Sequence, residues 1–406
     1  MWKRSLLLTA LLVLPLPAFA EEGNGLIGSW TLVWKMGDGR PVNRFRDVVG
    51  PDATFPLASR IVRADGGGRF LAFLDADGET DELIELDPRE EVLVADRGDA
   101  WLTWTRDPVH RDRATFRYHV RSAPEPVWEA TGQGEPMLLA DDGSLFLLAS
   151  QEVSYDLFAR ATMDDAGKTQ LVGSAGDVRV ELPIRPAFAA FTGDGDEIVL
   201  LRDRELLVLR RDGTVAWDAV LPVDHLVARD GRASLQAAAG RIAVSGTGEE
   251  PGARPAWSMY PVRTGWILMF DDDGHETWRA RQPDDESLWF QITPALSEDG
   301  RMLATVHSDG GEVVVRAWDA ATGDRLWTRR EARRVGVQSL SWSPDGSHLL
   351  MANGDDRTQI KVWDASGQVV WEGMLPFTSR VPRLLPGGVL VAERWIVHLT
   401  WDEPGT

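Results

Sequence analysis

The residues of this 406-residue chain best suited to chemistry are carboxylates gathered in short turns. Asp75-Ala76-Asp77-Gly78-Glu79-Thr80-Asp81-Glu82 and Asp271-Asp272-Asp273-Gly274 each place several hard oxygen ligands in a small loop, as Ca²⁺ sites do. Neither has the spacing of the roughly twelve-residue EF-hand loop. Acidic turns also recur along the whole chain, with Asp-Gly pairs beginning at Asp38, Asp65, Asp77, Asp142, Asp194, Asp212, Asp230, Asp273, Asp299, Asp309 and Asp345. Tight hairpins need positive φ, which Gly adopts freely and Asp tolerates, so solvated hairpin turns account for both runs.

The seven histidines are His110, His119, His225, His275, His307, His348 and His398. None forms H-x-H or H-E-x-x-H, the spacings that aim two imidazoles at one metal ion. His110 and His119 flank one expected hairpin. There is no G-x-S-x-G elbow, no P-loop and no G-x-G-x-x-G at a strand-to-helix turn. Gly66-Gly67-Gly68 stands between two expected strands and reads as a hairpin turn, not a phosphate cradle. With no Cys, thiolate nucleophiles, thiolate metal sites and disulfides are excluded together. No catalytic, metal-binding or cofactor-binding residue is assigned, and no cofactor is implied.

Tryptophan is the remaining resource, at eighteen residues, and its flat rings suit stacking on a sugar, a quinone or a protein. At least five occupy equivalent positions of a repeat, where wedging between structural units explains them. Trp257, Trp266 and Trp289 lie off that grid, close to the Pro-rich stretch 249–261. They are the candidate contacts for a partner protein.

The elements that would carry these residues begin after a leader. Met1-Trp2-Lys3-Arg4 is a basic head, Ser5 to Pro17 an apolar stretch, and Ala18-Phe19-Ala20 an A-x-A ending, the three parts of a cleavable secretory signal. The expected cut follows Ala20, leaving residues 21–406 as one domain in the periplasm or outside the cell. Pro15 and Pro17 break the apolar run well short of the ~20 residues a spanning helix needs. Removing Lys3 and Arg4 with the leader takes the net charge from −20 to −22. So acidic a surface argues against nucleic acid or anionic membrane as partner.

A repeat follows. Four segments share a strand, a tight turn and a second strand ending in Trp: Leu209 to Trp217, Phe270 to Trp278, Trp318 to Trp327 and Trp363 to Trp371. Their closing Trp residues lie 61, 49 and 44 positions apart, a period typical of propeller blades. A second element interleaves, a strand, a Gly-bearing turn and an apolar strand, as in Ala295 to Ala304 and Leu340 to Leu350. One blade then consists of two hairpins, strands a–b and c–d. The a–b turns are expected near residues 66, 142, 194, 239, 299, 345 and 387, with a degenerate pair at Trp101–Arg106 and Ala114–Arg121. The d strands are expected near Val94, Trp128, Val180, Trp217, Trp278, Trp327 and Trp371.

One d strand is missing from that count. The C-terminus supplies three strands without a fourth, at 383–385, 389–393 and 395–401. Residues 29–35 read as a strand without a blade, and pairing the two ends would close the ring and remove exposed edges. Eight four-stranded antiparallel blades are expected, with seven as the alternative count. Runs such as Glu312-Val313-Val314-Val315-Arg316 are continuously apolar, as strands buried on both faces are. A β-sandwich is the rival fold, and it does not predict a four-strand period.

Ser343-Pro344-Asp345-Gly346, Leu349-Leu350 and Ile360-Lys361-Val362-Trp363-Asp364 together resemble a bacterial WD40-type repeat, with Ala317-Trp318-Asp319 as a second Trp-Asp pair. The Gly-His dipeptide of strong WD40 repeats is absent. The turn-then-Trp element (Gly274 to Trp278, Gly323 to Trp327, Gly367 to Trp371) resembles the pyrroloquinoline-quinone-like (PQQ-like) repeats of quinoproteins and of an outer-membrane assembly scaffold. The resemblance covers roughly residues 195–400. It implies a propeller, and fold alone does not imply function. The leading expectation is a non-enzymatic exported propeller serving as a protein-binding scaffold. The alternative is a quinoprotein-like oxidoreductase using PQQ and Ca²⁺. Against that, the vicinal Cys pair common in such enzymes is absent, and only Asn24, Asn43 and Asn353 could supply the Asn of its Glu–Asn–Asp ligand set. A glycan hydrolase has only abundant carboxylates in its favour.

Overall fold

The computed structural model describes residues 22–24, 29–35, 48–49, 57–62, 69–74, 80–87, 89–95, 100–109, 113–140, 144–155, 161–183, 185–192, 195–202, 204–221, 234–249, 263–281, 294–309, 312–332, 337–353, 358–375, 382–384, 388–392 and 395–401. Every element among them is a β-strand. Strands β1 (Glu22–Asn24) and β2 (Ser29–Lys35) open the chain.

Seven four-stranded antiparallel sheets follow. The first holds β3 (Val48–Val49), β4 (Leu57–Val62), β5 (Arg69–Leu74) and β6 (Thr80–Leu86). The second holds β7 (Glu90–Val94), β8 (Ala100–Arg106), β9 (Arg113–Val120) and β10 (Trp128–Gln133). The third is β11 (Glu135–Leu139), β12 (Leu145–Tyr155), β13 (Ala161–Gly173) and β14 (Val178–Leu182). The fourth is β15 (Phe188–Phe191), β16 (Glu197–Arg202), β17 (Glu205–Arg210) and β18 (Val215–Val220). The fifth has β19 (Ser234–Ala238), β20 (Arg241–Glu249), β21 (Arg263–Asp271) and β22 (Glu276–Arg281). The sixth has β23 (Ala295–Leu296), β24 (Met302–Asp309), β25 (Glu312–Asp319) and β26 (Arg325–Ala332). The seventh has β27 (Val337–Trp342), β28 (His348–Asn353), β29 (Thr358–Asp364) and β30 (Val369–Leu375). A terminal sheet in the order β1-β2-β33-β32-β31 joins the two ends of the chain, with β31 at Arg383–Leu384, β32 at Val389–Ala392 and β33 at Trp395–Thr400. Ser29 stands opposite Thr400 and Lys35 opposite Trp395 in the β2–β33 ladder.

Within each four-stranded sheet the strands pair in chain order. The first strands of successive sheets, from β7 through β11, β15, β19, β23 and β27 to β31, lie against one another. Middle strands are sandwiched. Ile198 and Leu200 of β16 pack toward the third sheet with Leu145, Leu147 and Leu171. Val199 and Leu201 turn the other way and pack with Leu235, Val244 and Leu268 of the fifth. That two-sided burial is why such strands are apolar at consecutive positions. Outer strands alternate between half-buried and exposed, as β10 and β22 do.

From Leu139 to the end of the chain the expected turns fall between the first and second strands of their sheets, and the expected outer strands are outermost. The first two sheets are phased differently. The turn at 66 joins the second and third strands of its sheet, β4 and β5, and Val94 ends an innermost strand, β7. The pair 101–106 and 114–121 is the middle of the second sheet, β8 and β9. The outermost strand of the first sheet is β6, which carries Thr80, Asp81 and Glu82 of the acidic run. Those three residues are therefore strand, and the rest of that run lies outside the described residues.

Candidate functional site

The described residues hold two recurrent side-chain devices and three smaller clusters. The first device is a seam lock. Trp217 of β18 donates its indole N–H to the Asp272 carbonyl at 2.8 Å, Trp278 of β22 to Ala320 at 2.9 Å, and Trp327 of β26 to Ala365 at 3.0 Å. Each acceptor belongs to the last turn of the next sheet. Two or three residues further on stand Gly274, Gly323 and Gly367, with φ of +84°, +75° and +80°. The indole face lies where a Cβ would project, 2.6–2.7 Å from the nearest ring atom. Behind each indole stands an aromatic ring of the next sheet, Phe270, Trp318 or Trp363, at 6.3 Å between centroids. The spacing from turn glycine to closing Trp is thus fixed by packing between neighbours.

Earlier seams are weaker versions. Trp128 lies beside Gly176 and stacks on Phe146 at 5.4 Å, while Val180 takes the Trp position against Gly213. Trp371 of β30 is fully buried with Leu384, Leu390 and Leu399 of the terminal sheet.

The second device caps turns with carboxylates. Asp271 accepts the His275 N–H at 2.8 Å; Asp319 accepts those of Ala321 and Thr322; Asp364 accepts those of Ser366 and Gln368. Asp212 takes both the hydroxyl and the N–H of Thr214, and the hydroxyl bond foremost holds its carboxyl below the ordinary aspartate range. The Asp of each Trp-Asp pair therefore works inside its own turn, as does Asp271 of the acidic run. No group of three or more metal-ligating side chains exists among the described residues.

One turn looks like hydrolytic machinery. Ser347 Oγ lies 2.6 Å from His348 Nδ1 and 2.8 Å from Asp345 Oδ1, and Ser343 Oγ donates to the same Asp345 oxygen at 2.6 Å. The order is wrong for a triad, in which the carboxylate orients the imidazole and the imidazole takes the hydroxyl proton. Here the hydroxyl's single proton goes to the carboxylate. Burial pushes the Asp345 carboxyl up, but the bonds from Ser343 and Ser347 outweigh it and hold it below its ordinary value. The Ser297–Asp299 turn repeats the Ser-to-Asp contact at 2.6 Å without any histidine, so the motif is a turn cap.

Of the three off-grid tryptophans, Trp266 is described and Trp257 and Trp289 lie outside the described residues. Trp266 sits on β21 beside the Arg281 guanidinium, 6.0 Å from its ring centroid, and packs against the cluster between the fourth and fifth sheets. Its buried indole nitrogen has no partner among the described residues. Chain direction relates the other two to it. Trp257 belongs to the β20–β21 connection and Trp289 to the β22–β23 connection, and both connections leave the end of the fifth sheet at which β20 and β22 finish. The β18–β19 connection, 221–233, enters at that same end. The opposite end is made of the short turns at Gly240 and Gly274.

Two clusters were missed in the sequence. Lys361 of β29, buried, holds Glu331 of β26 at 2.6 Å and Glu372 of β30 at 3.0 Å, tying the sixth sheet to the seventh. The signal was one lysine in an apolar strand of a chain that otherwise uses arginine. In the second sheet, His119 stacks on Trp101 with the rings 5.2 Å apart and 5° from parallel. Register explains it, since the two stand directly opposite on β9 and β8.

Strands in four-membered sheets, packed through their faces and locked by tryptophans, make a β-propeller, and its repeats are similar to those of WD-repeat proteins and BamB. No family model matches the chain. It is 36% identical to the WD repeat-containing protein 1 of Mus musculus over 73 residues, 18% of this chain and 11% of that protein. It is 27% identical to the outer membrane protein assembly factor BamB of Bordetella pertussis over 110 residues, 27% of this chain and 26% of that protein. The matched stretches are thus a small part of these relatives' own length. Among solved structures, BamB of Moraxella catarrhalis superposes with a TM-score of 0.51 at 11% identity, covering 89% of this chain and 100% of that one. The similarity to the BamB structure is one of fold.

Proposed function

We propose that this chain is an exported, non-enzymatic β-propeller of eight blades, closed by β2, that serves as a protein-binding scaffold in the cell envelope. The observation that carries the reading is the contrast between the two ends of the fifth sheet. One end is made of short turns; three long connections meet the other, and two of them include the off-grid Trp257 and Trp289 in their sequence. Large aromatic residues in connections whose length is free to vary are the composition of a binding surface. Further support is that side chains with a catalytic appearance are used in turn caps and seams. The likeness to BamB, an assembly factor by name, adds support. For the blade count and closure, support comes from seven four-stranded sheets plus a terminal sheet in which β2 pairs with β33. The A-x-A ending at Ala20 supports export.

The test is in-cell crosslinking of the tagged mature protein, followed by affinity purification and mass spectrometry. The expected result is one envelope protein recovered at near-stoichiometric yield, and lost in the Trp257→Ala/Trp289→Ala variant with its urea midpoint unchanged. Trp266→Ala is read separately because that indole also packs between sheets. Recovery of background proteins alone from wild type would overturn the scaffold reading.

A further inference from the structure

The seam between the first and second sheets is built differently from those that follow. β6 carries no Trp, and the turn from β9 to β10, residues 121–127, carries no Gly, so neither half of the Trp–Gly lock is present. Leu71 and Phe73 of β5 and Leu86 of β6 meet Val92, Val94 and Trp101 of the second sheet. Phe73 and Trp101 of that core are also the middle of a stack of four groups. The Arg121 guanidinium sits 4.6 Å from the Phe73 ring, Phe73 stands 5.7 Å from Trp101, and Trp101 stacks on His119 at 5.2 Å. His119 Nε2 is 3.2 Å from the hydroxyl of fully buried Thr103.

β8 meets this imidazole through the uncharged Trp101 and Thr103, and charged groups stand on the other elements around it. On its own strand stands Arg117, with Arg121 just beyond; Glu90 comes from β7, Glu129 from β10, Glu82 from β6 across the seam, and Glu125 from the following turn. The carboxylates in direct contact with guanidinium groups are Glu82 on Arg121, and Glu90 and Glu129 on Arg117. A charge placed on His119 would therefore fall between the cations Arg117 and Arg121 in the sequence, half-buried against Trp101, beside carboxylates already shared with arginines.

We propose that this seam is an acid-sensitive joint: protonation of His119 loosens the first sheet from the second while the Trp–Gly seams further along the chain hold. Burial, the largest effect, holds the imidazole below its ordinary value of 6.5; Arg117 adds to this, and Glu90 and Glu125 oppose it. The loosened state takes up the proton near the ordinary value and the closed state only at lower pH. Opening is therefore favoured as pH falls below about 6.5, and the effect saturates once the closed form is itself protonated.

The experiment is hydrogen exchange by mass spectrometry on the full mature chain between pH 7.5 and 5, corrected for intrinsic exchange. The signals compared are those of β5 and β8 against β21 and β29. Relative exchange in β5 and β8 should rise as pH falls, roughly tenfold for each unit by which the imidazole is held down. The rise should vanish in His119→Gln, and also in His119→Phe, which keeps the stack without the proton. A pH-independent ratio in wild type overturns the proposal without any variant. An equal acid response in either variant overturns it as well.

Discussion

At the scale of single residues, the chain's chemistry is spent on geometry. Gly274 illustrates this, since two separate constraints fall on one position. Its φ of +84° is unfavourable to any residue with a Cβ, and that Cβ would lie 2.6 Å from Trp217. Gly240 shares the first constraint, with φ of +64°, but its nearest neighbour is a side-chain oxygen of Asp272 at 3.8 Å. Gly240→Ala should therefore cost only the backbone strain, about 1–2 kcal/mol. Gly274→Ala adds an overpacked contact against a ring that hydrogen-bonds at its far edge, worth ~1–3 kcal/mol more. Urea midpoints of the two variants measure the difference directly. Equal losses would mean that the indole yields freely and that the lock is loose.

At the scale of elements, the seam between the sixth and seventh sheets combines the Trp327 lock with the Lys361 bridge. Lys361→Met should remove the cation and leave two carboxylates facing each other. Breaking a buried pair costs about 3–5 kcal/mol, and the loss here should fall below that because Glu331 and Glu372 keep 23% and 18% of their side-chain surface exposed. Adding Glu331→Gln and Glu372→Gln should recover most of it, since the charges that made the loss are then gone. If the triple variant melts as low as Lys361→Met alone, the lysine acts through its packing and not its charge. This seam was also the most legible part of the sequence, because its Asp-Gly turns, its Trp residues and its apolar runs all repeat. The first two sheets were misphased for a physical reason: they lack those markers. Val48–Val49 is too short to show a period, β6 ends in no Trp, and Gly66-Gly67-Gly68 has the chemistry of a tight turn without saying which pair of strands it joins. The side-chain contacts between strands were not legible at all. The His119–Trp101 stack and the Lys361 bridge depend on register and on which face of a sheet meets its neighbour, and a one-residue shift would reverse both.

At the scale of the whole molecule, the terminal sheet decides how the array behaves. Seven sheets packed face to face would leave two unsatisfied faces, and β2 lies where one sheet built from both chain ends can cover them. Thr31 stands opposite His398 in the β2–β33 ladder, and directly opposed strand residues have Cα separations of about 4.5–5.5 Å, within disulfide reach. The chain has no Cys of its own, so Thr31→Cys/His398→Cys introduces a pair without competitors. Oxidation would close a loop spanning nearly the whole chain, and the entropy removed from the unfolded state is on the order of 6 kcal/mol, less any strain. A matched pair within one hairpin, Thr115→Cys/Thr131→Cys, closes a far shorter loop and should stabilise by about 3 kcal/mol. The expected outcome is that the terminal pair oxidises intramolecularly and raises the urea midpoint more than the hairpin pair does, with both gains removed by reductant. The β2–β33 ladder predicts this ordering because it makes the two chain ends neighbours in the folded state and strangers in the unfolded one. Free thiols or disulfide-linked dimers from the terminal pair, beside a cleanly oxidised hairpin pair, would mean that the ends part in solution. The array would then be an open one, with the outer edge of β33 exposed to pairing by other chains.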